Sequence, residues 1–261
     1  MEQTVNSNTV DQALPREMMQ HTYPILYKIE ESHWWHRGRR RIIESFLERI
    51  FQDFKGRPQI LDVGCGTGGN LVMLSKFGDA AGVDISPDAL EFCKQRGLTN
   101  VRLGAVEKLP YDDASFDLVT ALDVVEHIDD DVAGLREMRR VLKPSGRILL
   151  FVPTFMFLWG LQDDVSHHRR RYTLPQLRRV VEQAGFEVER ATYANIVFFT
   201  PILLIRKLMR LTGMKASSEN NINVPAFNDL FSRLLGVEGT VLRHINLPFG
   251  VSGLCVARVK N

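Results

Sequence analysis

The stretch ILDVGCGTGGN, Ile60–Asn70, decides the fold, and its glycines fit two cofactor fingerprints. A short apolar run that enters a glycine-rich turn and opens a helix sets backbone N–H groups at a positive helix terminus, with no side chain in a ligand's way. Gly64, Gly66 and Gly69 spell the G-x-G-x-x-G of a dinucleotide loop, whereas Gly64, Gly66 and Gly68 behind Asp62 spell a different pattern. Both patterns want an acidic residue about 20 positions on for ribose hydroxyls, and Asp84 stands there. Charge separates them. A carboxylate at Asp62 would repel a pyrophosphate, while a ligand with a positive amino group would gain from it.

Outward from this loop, short apolar strands alternate with helical periods. QILDV, AAGVD, NVRLG, FDLVTAL and RILLFVP are separated by helices expected over about 70–77, 87–96 and 130–142. Strands apolar on both faces with helices between them predict a doubly wound α/β fold. The expected sheet is Rossmann-like, with seven strands, mostly parallel, and an antiparallel final strand at GVSGLCVARV. RRRIIESFLERIFQDF predicts a preceding helix from Arg39, and further helices are expected over about 175–184 and 226–243, with a polar linker over 216–223. The expected organisation is a mobile N-terminus and lid over 1–38, a cofactor-binding domain over 39–194, an inserted helical region over 195–248 and the last strand over 249–261.

The segments DVGCGTG, VDIS, LPYDDASFD and EMRRVLKPSGR stand in this order and at usual spacing. From about Arg39 to Pro153 the chain therefore resembles class I S-adenosylmethionine-dependent methyltransferases. The resemblance implies that Asp62, Gly64 and Gly66 line the methionine and ribose portion of S-adenosylmethionine, that Asp84 holds the ribose hydroxyls and that Ile85 packs on adenine. Ala121, Leu122 and Asp123 would lie beside the sulfonium. Where the family usually carries an Asp for the adenine amino group, this chain has Ala105, Val106 and Glu107. A lid like HWWHRGRR and a basic loop like HHRRRYT occur together in a subset of the family.

Methyl transfer is a displacement on an activated sulfonium, so positioning supplies most of the catalysis, and a base matters only where the acceptor carries a proton. His127, and His167 with His168, are the candidate catalytic residues, because both sites fall after strands at the carboxyl edge of the sheet. Asp123, Glu126 and His127 come from one short segment and do not by themselves call for a metal. Of the arginines in HWWHRGRRR, successive residues point about 100° apart on a helix, so one, Arg39, is expected at the methionine carboxylate.

Composition bounds the rest. With 33 basic against 31 acidic residues the net charge is +2, which gives no basic track for nucleic acid. Three scattered cysteines indicate neither a disulfide framework nor a zinc site, and with no secretory leader the expected compartment is cytoplasmic. The apolar run Ile196–Ile205 has ten residues, short of the roughly 18–20 that span a bilayer. Followed by Arg206, Lys207 and Arg210, it reads as a cap, a homodimer face, or a channel or peripheral membrane contact for a small or lipid-like acceptor. Methyl transfer to oxygen is the expected reaction, with a nicotinamide oxidoreductase and a non-catalytic S-adenosylmethionine-binding protein as the alternatives.

Overall fold

The computed structural model describes residues 22–212 and 225–260. The N-terminal twenty-one residues and the linker expected over 216–223 lie outside them. Seven strands form one sheet in the order β3-β2-β1-β4-β5-β7-β6. They are β1 (Gln59–Val63), β2 (Asp79–Asp84), β3 (Val101–Leu103), β4 (Phe116–Leu122), β5 (Leu142–Pro153), β6 (Phe186–Ala194) and β7 (Ser252–Val259). Strands β1 to β5 pair in parallel, and β7 enters between β5 and β6 antiparallel to both. The doubly wound, Rossmann-like sheet expected from the sequence is thus the fold observed.

Strand alternation explains why both faces are apolar. Leu61, Val63, Ile148, Leu150 and Val152 point into one core with α5 (Asp131–Val141) and α7 (Leu174–Gln183). Their neighbours Ile60, Leu149 and Phe151 point into the other with α2 (Trp34–Ile50) and α9 (Pro225–Leu242). Helix α5 starts at its cap Asp130, whose carboxylate accepts from the Ala133 N–H at 2.9 Å.

Helix α2 begins at Trp34, five residues before the start expected from its apolar stripe. The signal missed was the cap: the His33 imidazole accepts from the Trp35 N–H at 3.2 Å. Helix α2 therefore runs straight through the boundary expected at residue 38. A short helix before it, α1 (Thr22–Ile29), sets Tyr27 on Phe92 of α4 (Pro87–Gln95) and over the Arg96 guanidinium. The inserted region folds back onto the sheet through α9, where Leu235 is fully buried against α2. Leu235→Ala should cost about 2–5 kcal/mol of stability, because the cavity left between two packed helices closes only in part. Urea unfolding measures it, and a loss under about 1 kcal/mol would mean α9 is not part of the folded core. Helix α8 (Phe199–Thr212) has no buried residue, and no described helix is long and apolar enough to cross a membrane.

Candidate active site

The glycine turn follows β1, and its backbone explains the residues chosen. Gly64 has φ +68°, and a Cβ there would lie 2.5 Å from Val124 Cγ2, so only glycine fits. The Gly64 and Cys65 N–H groups both donate to the Val83 carbonyl, at 2.8 and 3.0 Å, which ties the turn to β2. Asp84, ending β2, accepts from the Gly66 N–H at 2.8 Å and from the Ser86 N–H at 3.0 Å. Asp84 also lines the cavity into which the turn opens.

A carboxylate of the chain itself lies at the start of α3 (Gly69–Leu74), where a dinucleotide would rest its pyrophosphate. Glu30 accepts from Thr67 Oγ1 at 2.6 Å, pairs with Arg96, and sits so close to Gly69 that a Cβ there would be 2.5 Å from its carboxyl carbon. Burial pushes the Glu30 carboxyl up, against the Thr67 bond and the nearby arginines. This residue discriminates between the two glycine fingerprints better than Asp62 does. Asp62 lies beneath the turn, fully buried, with one oxygen accepting from Thr120 Oγ1 at 2.6 Å and Oδ2 without a partner. Burial raises it to about 7 despite the Thr120 bond. A cationic group above the turn suits both carboxylates, and a bridged diphosphate suits neither.

The turn opens on a cavity of about 1110 Å³, lined by Gly64, Gly66, Asp84, Ile85, Val106, Glu107, Leu122, Asp123 and Arg39. That is just above the range of about 300–1,000 Å³ for small-molecule pockets, room for a cofactor and an acceptor together. Ala105 and Ala121 are not lining residues, and Ala121 is wholly buried inside β4. Arg39 reaches the cavity, yet its nearest charge is Asp123, with Asn70 Oδ1 at 3.5 Å from the same guanidinium. Asp123 itself has a left-handed φ of +60°, directly after β4. Trp34 and Trp35 line the cavity, while Tyr27 packs on Phe92. The other arginines of the lid are committed to Asp229, in the case of Arg37, and to Glu30 O and Glu31, in the case of Arg40.

At the far wall the two histidine sites meet. His127 ends a 3-10 turn, Val125–His127, after β4, and His168 follows α6 (Leu161–Val165), an element not expected from the sequence. Their rings cross edge to face with centroids 4.7 Å apart. Burial, with His168 and His167 beside it, lowers His127 to about 3, so it is a neutral imidazole. His167 also lines the cavity, at φ +55°, outside this contact. His168 Nδ1 lies 2.8 Å from Asp163, which takes two bonds from Arg171 at 2.8 and 2.9 Å. Burial alone would raise Asp163, but the His168 and Arg171 bonds win and hold it at about 2. Asp163 therefore fixes the tautomer of His168, with Nε2 free to face the cluster. Glu126, also wholly buried, has neither carboxylate oxygen bonded, and Oε1 is 3.8 Å from His168 Nε2. Burial and the neighbouring Asp123 push it well above the usual carboxylate range. Glu30 and Asp163 are the site residues that sequence reading missed.

The matches to known proteins agree with this geometry. Residues 61–150 match the methyltransferase domain family. The uncharacterized methyltransferase YcgJ of Bacillus subtilis is 36% identical over 182 residues, 64% of this chain and 70% of that protein. A demethylmenaquinone methyltransferase of Staphylococcus aureus is 38% identical over 130 residues, covering 44% of this chain and 54% of the relative. The chain thus spans about half the length of some of the relatives it matches. A chain solved together with the Trm112 methyltransferase activator of Haloferax volcanii superposes over 94% of this chain and 96% of its own, with TM-score 0.62 at 19% identity, a likeness of fold alone. The chain belongs to the class I S-adenosylmethionine-dependent methyltransferases.

Proposed function

We propose that this chain transfers the methyl group of S-adenosylmethionine to an oxygen of a lipid-like acceptor. The cofactor, when bound, supplies a methyl group already activated on a sulfonium. Asp84 holds the ribose hydroxyls, Ile85 and Val106 flank the adenine, and Arg39 with Asp123 closes the methionine end. The single observation that supports an oxygen acceptor is the polar corner formed by His127 and His168 on the wall of the same cavity, with Glu126 buried behind them. A hydroxyl placed there gives up its proton where the cofactor's methyl group is in reach, and orientation does the rest.

Two observations favour an apolar acceptor. Ile202 and Arg206 of α8 line the cavity, while Leu204, Ile205, Leu208 and Leu211 on the same helix are exposed. A helix with an apolar outer side and cationic residues at its end suits entry of a lipid from a membrane surface. The relative named for demethylmenaquinone points the same way. In this reading the inserted region over 195–248 is the acceptor wall, and the segment before Arg39 is the lid.

The test is transfer of a labelled methyl group from S-adenosylmethionine to a membrane-lipid extract. Label in the organic phase, on material that yields labelled methanol or methyl iodide on ether or ester cleavage, is expected. Label confined to water-soluble amines would overturn the acceptor class while leaving the methyltransferase in place.

A further inference from the structure

Glu126 poses a problem that the methyl-transfer reading leaves open. Its carboxylate is wholly buried, and neither oxygen has a hydrogen-bond partner. Buried carboxylates without partners are rare, because the lost hydration is not replaced, and an ion at the site is one of the few physical explanations. Its neighbours supply what an ion would need. One ligand atom each from Glu126, His127 and His168 lie within 4.8 Å of one another, with Glu126 Oε1 and His168 Nε2 at 3.8 Å. Ligands about 2.0–2.1 Å from a tetrahedral zinc stand about 3.3 Å apart, so rotamer adjustments of under about 1.5 Å would close the set.

The surrounding shell is arranged in the same sense. His168 Nδ1 bonds to Asp163, which Arg171 holds in turn, and Arg171 Nη1 donates to the Thr154 carbonyl at 3.1 Å. A carboxylate on the far nitrogen of a histidine fixes its tautomer and orients Nε2, the arrangement found behind metal-bound imidazoles. The ligands come from two loops, after β4 and after β5, which the sheet alone brings together.

We propose that Glu126, His127 and His168 form a site for a divalent cation of the zinc class, with an open coordination position facing the acceptor cavity. Two imidazoles and one carboxylate match zinc, cobalt or iron better than the oxygen-rich sites of magnesium and calcium. Three protein ligands with a fourth position open is the pattern of catalytic zinc. The proposal rests on the methyltransferase reading for its role: the cation binds the acceptor oxygen and favours its ionised form, and the open position replaces a free base.

Cobalt(II) titration of the chelator-treated full-length chain tests it. One equivalent of cobalt is expected to bind with the visible absorption of a tetrahedral nitrogen and oxygen site, and zinc is expected to displace it. Glu126→Gln and, separately, His127→Asn should each weaken binding at least 100-fold, while His244→Gln, a histidine far from the cluster in an exposed turn, should leave it unchanged. Asp163→Asn should weaken it about 10- to 100-fold, the usual effect of losing a carboxylate behind a ligand. Binding of S-adenosylhomocysteine, measured on each variant, reports whether the fold and the cofactor site persist. No cobalt binding, or binding unchanged in both Glu126→Gln and His127→Asn with homocysteine-product binding intact, would overturn the metal site and leave the methyltransferase reading standing. Loss of that product's binding in the unaltered chain would overturn the methyltransferase reading itself.

Discussion

Replacing Asp84 with alanine is expected to raise the dissociation constant for S-adenosylhomocysteine at least about 100-fold, close to 2.8 kcal/mol. The carboxylate has two duties. It receives the Gly66 and Ser86 N–H groups, which sets the curvature of the turn and caps the approach to α4. It also lines the cavity, where the proposed cofactor site puts the two ribose hydroxyls against it. A hydrogen bond to a charged group contributes about 1.5–3 kcal/mol, so losing two of them, about 3–6 kcal/mol before any replacement by water, is of the size of the stated threshold. Asp84→Asn should fall between, since one amide oxygen still accepts. Isothermal titration of both variants, with thermal unfolding to confirm that they fold, is the measurement. A change under threefold would place the ribose elsewhere.

Arg171→Met should cost about 3–5 kcal/mol of stability, because it leaves Asp163 ionised and buried with its principal counter-charge removed. The pair is almost wholly shielded, with side-chain exposures of 5% for Arg171 and 0% for Asp163. Solvent screening, which makes most surface pairs nearly neutral, does not operate here. For a protein of this size each kcal/mol lowers the melting temperature by about 2–4 °C. The expected fall is thus about 6–20 °C. Adding Asp163→Asn to Arg171→Met should recover part of it, because the buried charge is then gone. Failure of the second change to recover anything would assign the loss to packing of the arginine stem instead.

The sheet and its ligand loop were legible because periodicity and glycine chemistry are local. Ile60–Val63, the turn and Asp84 lie within 25 residues and carry their own backbone logic. Asp62 was legible as a residue, but its position was not: a carboxylate written beside a glycine turn looks exposed, and its buried partner Thr120, on the neighbouring strand β4, is 58 residues away. Glu30 could not be read at all, since nothing in YKIEESH distinguishes it from a solvated helix end until α1 folds over Thr67 and Arg96. The joining of His127 to His168 was equally hidden. Each was visible as a histidine at the sheet's carboxyl edge, yet only the paired strands β4 and β5 bring the two loops into contact, and Asp163 enters through a five-residue helix too short to leave a period. The close approach of α2 and α9 was hidden for the same reason, because each helix showed its stripe but not its partner.

We propose that the glycine turn takes a sulfonium nucleoside because Glu30, against Gly69 and Thr67, stands where a pyrophosphate would rest. Parallel calorimetric titrations of the unaltered chain with S-adenosylhomocysteine and with NADH test it most directly. Saturable binding of S-adenosylhomocysteine and no displacement of it by NADH are the predicted results. NADH binding in competition with S-adenosylhomocysteine would show a diphosphate seated beside Glu30 and would contradict this role for Glu30.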